Sequence, residues 1–459
     1  MSMPSVLSLL RRHAGERPDA ICLFSIDEER GLTWRQLLER VEGLAGFFSA
    51  GKIQANDRVA VVSENSLDLA TLYYAVMAHG AAFCPLSPSA PDLDLLLARL
   101  KAKVVLRGIP PFEKNPVASL PASDESAHAA ICFTSGTTQG AKAVAHTFGS
   151  YYENALQTVT RWGLAPGDRV LDYRSFSWAA THTVGLHPLL VGGHALYFAR
   201  EFRAERLAEW VGKYRPTVLV GIPLVIDAML ERAMEAAAFS SLRFVSCSTA
   251  PLTSERHRRF EQHFRAPLVQ LYGMSEGGLI ALNPHDRRRI GSVGLPSSVQ
   301  HLRLVDASGA ELPRGQIGEI VVGGPACASH YVLEDGSLAL IPRDALRTGD
   351  MGRLDEDGYL YVLGRTAQAF LRKGRQILPF LIDQSLVSAP AVRDAASVGR
   401  DGRVTSFVVR RSEIEAADVL AHCGRTLPAE YLPDEIVFCD EIPRNARGKV
   451  DFDKLPRTP

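Results

Sequence analysis

Between residues 57 and 106, short apolar runs alternate with helix-length segments, and this restricts the fold more than any single motif. Residues 57–62, 82–85 and 104–106 read as strands, and 66–79 and 93–100 as helices. In the first of these helices Leu69, Leu72, Tyr73 and Val76 fall at i, i+3, i+4 and i+7, and Gly80 ends it. A β-α-β-α-β series predicts a mostly parallel sheet covered by helices. A helix with Thr33 as its N-cap precedes it. A second series follows: helix 150–162, strands 169–173 and 195–199, helix 204–214, strand 218–221, helix 225–237, strand 243–246, helix 254–264 and strand 268–272. From Gly291 the runs 302–306, 319–323 and 359–363 are short and separated by Gly, Pro and Asp, which suggests an antiparallel subdomain. The last stretch alternates short helices and strands. The expected fold class is therefore α/β. Its large N-terminal domain has mixed, mostly parallel sheets covered by helices plus an antiparallel β subdomain, and a small α+β unit follows at the C-terminus.

The 459 residues suffice for two or three domains and a large core. Lys+Arg and Asp+Glu are 51 each, so the balanced charge argues against a nucleic-acid or anionic-membrane partner. Seven cysteines are scattered without a Cys-x-x-Cys, which disfavours a disulfide framework or structural zinc and fits a reducing, cytoplasmic setting. Residues 1–12 carry Arg11-Arg12 after a short leucine run and read as an amphipathic helix, not a signal peptide. No run reaches transmembrane length. Residues 107–128, with Pro110, Pro111, Pro116 and Pro121, read as a surface connection.

That connection leads into an apolar run, 129–133, and then Thr134-Ser135-Gly136-Thr137-Thr138-Gln139-Gly140-Ala141-Lys142. Hydroxyls and backbone N–H groups on such a loop can turn toward an anion, and the lysine adds a point charge. Glycine lets the backbone approach a phosphate closely. A Walker loop is excluded, because Ala141 stands at its second glycine and Ala143 where its hydroxyl would be. Taken alone, the stretch also reads as a polar loop between a strand and a helix.

Four further motifs accompany it: Tyr272-Gly273-Met274-Ser275-Glu276, Arg347-Thr348-Gly349-Asp350, Gly364-Arg365 and Pro443-Arg444 through Gly448-Lys449. Together and in this order they resemble the adenylate-forming superfamily of acyl- and aryl-CoA synthetases, peptide-synthetase adenylation domains and luciferases. In character the chain is closest to AMP-forming acid–CoA ligases. The resemblance implies ATP, Mg²⁺ and CoA as cofactors, and a carboxylic acid converted through an acyl-adenylate to a thioester. It also implies a domain of residues 1–363, a hinge at 364–368 and a mobile lid at 369–459.

The resemblance assigns Thr134, Ser135, Gly136, Thr137, Thr138 and Lys142 to the β/γ-phosphates, with Thr137 also catalytic. Glu276 becomes the Mg²⁺ ligand and a catalytic group, a hard oxygen for a hard ion. Tyr272 is expected on the adenine, bordered by Ser248, Thr249, Ala250 and Pro251, where the family has Gly-Gly-Ala-Pro. Gly273, Met274 and Ser275 continue the nucleotide site. Asp350 is expected on the ribose hydroxyls, with Arg365 beside it. Lys449 is expected to bridge the acid and the α-phosphate during adenylation. Gly374 falls where the family admits the phosphopantetheine arm of CoA; Arg372, Lys373 and Arg375 read equally as contacts for the nucleotide phosphates of CoA or as a solvated basic turn. At the hinge, Ala367, followed by Gln368, stands where the family has Asp or Lys, two residues after Arg365.

The acid pocket is expected to include Trp178, His182, Ile222, Cys247, Met274, Gly277 and Gly278. Residues 175–182 contain no carboxylate, and an ammonium buried there would lack a partner. An aromatic or short-to-medium acyl acid fits better than an α-amino acid. Trp178 reads equally as a gate or as core packing. Two alternatives stay open: a ligase loading the phosphopantetheine of an acyl or peptidyl carrier protein, and a nucleotide-binding protein without ligase activity.

Overall fold

The computed structural model describes residues 3–90, 92–111, 124–134, 141–400, 402–445 and 448–456. Among the described residues, two mixed sheets of nine and seven strands carry most of the chain. In the larger sheet, Ile21–Ser25, Ala195–Phe198, Arg169–Asp172, Val218–Gly221, Phe244–Cys247 and Leu268–Met274 run parallel. Antiparallel strands close both of its edges. In the smaller sheet, Val104–Leu106, Arg58–Val62, Ala82–Leu86 and His128–Phe133 are parallel. It continues antiparallel through Ala143–Thr147, His330–Val332 and Leu338–Leu340. The antiparallel subdomain orders His301–Val305, Ile317–Gly323, Leu346–Leu354 and Leu360–Arg365.

Local chemistry sets the helix starts. Thr33 and Gln36 form a capping box at Trp34–Ala50, and Ser66 caps Leu67–Ala78. Thr147 ends a strand and caps Phe148–Trp162, accepting from Ser150 N at 3.1 Å. The sequence reading differs from the structure at several places. Residues 21–33 form a strand pair that extends the larger sheet. The expected helix 225–237 stops at Glu231 as Pro223–Glu231, and a 3-10 turn, Ala236–Phe239, follows. Ala143–Thr147 pairs back on His128–Phe133, so the candidate phosphate loop joins two antiparallel strands and does not open a helix.

Residues 370–455 contain a separate apolar core built on Ile377, Ile382, Leu386, Val392, Val404, Val408 and Val419. It lies among Pro379–Val387, Ala416–Gly424 and a sheet of Val392–Arg400, Arg403–Arg410 and Glu435–Phe438. Thr366–Gln368 is a single 3-10 turn between this part and the antiparallel subdomain. All seven cysteines are free. Among the described residues no helix is long and apolar enough to cross a membrane.

His146, His182, His187 and His194 are buried, and desolvation pushes them down to about 4, 3, 4 and 4 from the ordinary 6.5. They stay neutral in the folded chain, whereas the unfolded chain takes up protons below pH 6.5. Their contribution is therefore complete above that pH and is lost as the pH falls toward 4, at up to ~1.4 kcal/mol per unit for each group. Urea midpoints are expected to drop clearly between pH 7.5 and 5.5. A midpoint constant over that range would contradict the burial of neutral imidazoles.

Candidate active site

Four parallel strands of the larger sheet end at one edge, where α/β proteins commonly bind ligands. Past Arg169–Asp172 comes 175–182; past Val218–Gly221, Ile222; past Phe244–Cys247, Ser248–Pro251; and Leu268–Met274 itself carries Tyr272. Gly221 pairs with Cys247, and Ser248 N donates to Gly221 O at 3.2 Å, so Ile222, Cys247 and Ser248 are neighbours.

Tyr272 OH donates to Asp350 Oδ2 at 2.5 Å, which joins the larger sheet to the antiparallel subdomain. Arg365 Nε lies 3.1 Å from Asp350 Oδ1, and its Nη1 donates to Thr348 O at 3.1 Å. Asp350 is buried, and desolvation raises its pKa; Arg365, Tyr272 and Lys449 act against that shift. Lys449, on the 445–449 turn, is thus close enough for its charge to act on Asp350. The turn is held by Asn445 N to Lys449 O at 2.9 Å and by Lys449 N to Asn445 Oδ1 at 3.1 Å.

Ser135, Gly136, Thr137 and Thr138 lie outside the described residues. The base of their loop is closed by Thr134 N to Lys142 O at 2.8 Å and Lys142 N to Thr134 Oγ1 at 3.0 Å. Arg99 ties this base to the neighbouring strand, donating to Ala141 O and Val332 O, both at 2.8 Å. Tyr331 sits opposite Val144 in that strand. Its hydroxyl donates to Glu276 Oε1 at 3.3 Å, and Lys142 Nζ stands 5.4 Å from its ring centroid. Buried His146 donates from Nε2 to Ser275 O at 2.8 Å, fixing the turn that carries Glu276. Arg99, Tyr331 and His146 were absent from the sequence reading. Contacts between elements distant in sequence bring them here, and no local pattern marks that.

Several expected pocket residues are placed differently. His182 is fully buried, and both ring nitrogens are bonded: Nε2 donates to Phe176 O at 2.7 Å, and Nδ1 lies 2.8 Å from Tyr151 OH. Neither nitrogen is left for a substrate, so its expected pocket role is corrected to core support. Gly278 has φ +64°, and a Cβ there would meet Ala326 O and Asn154 Oδ1, each at 2.6 Å. Protein therefore fills the space its missing side chain leaves. Asn154 organises this bend, donating to Ser150 O at 2.7 Å and Ala326 O at 2.9 Å and accepting from Leu279 N at 2.6 Å. Gly277 is buried against Met274 and Ile280. Ile222 and Cys247 are buried at the strand ends, while Trp178 and Met274 are half-buried. Asp172, close by in the chain, accepts from Arg174 Nε at 3.0 Å and Nη2 at 2.7 Å, and the pair is fully buried.

Lys373 and Gly374 form a two-residue hairpin turn with φ +51° and +76°, between the paired Arg372 and Arg375. Arg372 reaches Asp434 at 2.6 Å and Arg375 reaches Glu430 at 3.4 Å, so both arginines are engaged within the C-terminal part. Among the described residues no three His, Cys, Asp or Glu side chains gather as a metal site. One carboxylate, Glu276, fits Mg²⁺ where nucleotide phosphates and water supply the other oxygens.

Fold and site define an adenylate-forming enzyme. The profile of the AMP-binding enzyme family matches residues 10–111 and 109–332, and that of its C-terminal domain matches 381–449. The chain belongs to the AMP-binding enzyme family. It is 30% identical to the indoleacetate–CoA ligase of Aromatoleum aromaticum, over 97% of this chain and 96% of that one. It is 29% identical to the sulfoacetate–CoA ligase of Cupriavidus necator, over 98% and 97%. The solved structure of ATP-bound MatB from Rhodopseudomonas palustris superposes with a TM-score of 0.84 at 25% identity, covering 98% of both chains.

Thr249 stands where the superfamily has glycine, and it keeps φ +81°, a conformation costly for a β-branched residue. The strain is on the order of 1–3 kcal/mol. Thr249→Gly is expected to raise unfolding stability by about 1 kcal/mol, and Thr249→Ala, which keeps a Cβ, by less. Loss of stability in Thr249→Gly, followed by urea unfolding, would show that threonine contacts outweigh the backbone cost.

Proposed function

We propose that this AMP-forming acid–CoA ligase takes an aromatic or short-to-medium acyl acid, with residues 1–363 binding ATP and acid and residues 369–459 acting as a lid about a hinge at 364–368. The observation that supports the reading most is the contact of Tyr272 and Arg365 with Asp350, on which the charge of Lys449 also acts.

In the first half-reaction a carboxylate oxygen of the acid attacks the α-phosphorus of ATP, and pyrophosphate leaves. Two anions must meet, so positioning and positive charge dominate the barrier. Asp350, held by Tyr272 and Arg365, keeps acceptor capacity for both ribose hydroxyls. Tyr272 presents a ring face to adenine beside Ser248–Pro251. Thr134, Ser135, Gly136, Thr137, Thr138 and Lys142 take the β/γ-phosphates. Tyr331 orients Glu276, which would hold Mg²⁺; the bound ion offsets phosphate charge. Lys449 bridges carboxylate and α-phosphate. In the second half-reaction the thiol of CoA attacks the acyl carbon and AMP leaves, with the lid turned so that Lys373 and Gly374 face the thiol's path.

Ile222, Cys247 and Met274 make the acid pocket mainly apolar. Asp172 is fully engaged by Arg174, so no free carboxylate near residues 175–182 awaits an ammonium. This disfavours an α-amino acid. Seven free cysteines fit a cytoplasmic setting.

Lys449→Ala is expected to slow acid-dependent ATP–pyrophosphate exchange by several orders of magnitude, at ~1.4 kcal/mol for each tenfold. Supplied acyl-adenylate should still be converted to the CoA thioester at a near-normal rate. The same assay with a phosphopantetheinyl carrier in place of CoA decides the acceptor. Equal loss in both half-reactions would make Lys449 a support of the lid's fold and remove the reading.

A further inference from the structure

Four charged side chains form an unbroken alternating row between the two parts of the molecule. Asp227 Oδ1 lies 3.1 Å from Arg256 Nε, and Arg256 Nη2 lies 2.9 Å from Asp394 Oδ1. Asp394 in turn accepts from Arg444 Nη2 at 3.0 and 2.8 Å. Asp227 and Arg256 belong to Pro223–Glu231 and Ser254–Phe264 of the large region; Asp394 and Arg444 belong to the C-terminal part. Arg256 is nearly buried, with a side chain 9% exposed. Arg444 also donates from Nη1 to Gly448 O at 3.1 Å, on the peptide adjoining Lys449. The row thus runs from the helices of the large region to the turn that carries Lys449. A neutral contact lies beside it, where Ser254 Oγ donates to Gln384 Oε1 at 3.2 Å.

Within the row itself the charges balance and divide evenly; nearby, Glu231 acts on Asp227 and Arg256, and Arg411 of the C-terminal part faces Arg256 and Glu231. Burial pushes Asp383, which also acts on Asp394, up to about 8, so it stays protonated at pH 7 and does not disturb the count. Breaking a buried ion pair ordinarily strands a charge without compensation, which is strongly unfavourable. Of the ion pairs in this row only the middle one, Arg256 with Asp394, crosses between the two parts; Arg256 Nη2 also donates across to Arg393 O at 3.4 Å. Opening it leaves Asp227 with Arg256 and Asp394 with Arg444, two neutral pairs. The contact can hold one orientation and still release it.

We infer that Arg256 and Asp394 are positioning residues that hold the C-terminal part in the orientation placing Lys449 at Asp350, and that Asp227 weakens this hold by competing for Arg256. The inference rests on the two-orientation ligase reading above. Removing either member of the middle contact favours departure of Lys449 and penalises adenylation alone. Removing Asp227 leaves Arg256 to Asp394 only, tightens the hold and slows the thioester step.

Two measurements test it on the full chain. Spin labels at Glu235→Cys and Arg425→Cys, in a Cys439→Ser background, report the separation of the two parts by pulsed electron resonance without any substrate. Asp394→Asn and Arg256→Gln are each expected to add a second distance population, and Asp227→Asn to narrow the first. Half-reactions are then compared using whichever of benzoate, indole-3-acetate, phenylacetate and butyrate drives pyrophosphate exchange in the unmodified enzyme. Asp394→Asn should slow exchange by about tenfold, ~1.4 kcal/mol, and leave acyl-adenylate conversion by CoA within about twofold. Asp227→Asn should reverse that pattern. Unchanged distance populations in all three variants, or equal losses in both half-reactions, would overturn the inference. If the unmodified enzyme drives no exchange, the ligase reading falls while the distance measurement still decides the latch.

Discussion

The hydrogen bond from Tyr272 to Asp350 is the contact on which the proposed site depends. Tyr272 belongs to the larger mixed sheet and Asp350 to the antiparallel subdomain. Their 2.5 Å contact draws the two into one surface. Burial disfavours the Asp350 anion, while Tyr272, Arg365 and the charge of Lys449 support it. A carboxylate held this way is rigid and keeps lone pairs for two neighbouring hydroxyls. The C-terminal part, which carries Lys449, docks against helices of the large region through the contact of Arg256 with Asp394.

The hairpin beneath the candidate phosphate loop has a chemical consequence. A loop that opens a helix can use the helix N-terminus to attract phosphate. Here the loop leaves His128–Phe133 and returns into Ala143–Thr147, an antiparallel pair. Among the described residues no helix N-terminus contributes here; Lys142, over Tyr331, and Arg99, bonded to Ala141 O, are described cations at this edge. Tyr331 then couples the lysine to Glu276, so the groups proposed for the phosphates and for Mg²⁺ share one support.

Much of the fold was legible because its signals are local. Thr33, Ser66 and Gly80 mark helix ends by their own backbone chemistry, and the apolar runs of 57–106 and 218–272 fixed most of the parallel strands. The strands Ile21–Ser25 and Ala143–Thr147 escaped because each is short and owes its state to a partner far along the chain. Candidate site positions on motifs could be listed from sequence, but their supports could not. Arg99, His146, Asn154 and Tyr331 act through pairing across 42 to 233 residues. His182 shows the converse: it lies at a suggestive position, yet Tyr151 and Phe176 take both its nitrogens. Arg256, in a helix that reads as merely charged, becomes an interface residue only when Asp394 is brought to it.

The central claim is acid-dependent adenylation followed by transfer to CoA. The most direct measurement supplies the protein with ATP, Mg²⁺, CoA and a panel of aromatic and short-to-medium acids, and counts the products. The account requires AMP, pyrophosphate and an acyl-CoA thioester in equal amounts, formed only when an acid is accepted. Release of ADP and phosphate, or nucleotide turnover independent of acid, would contradict it.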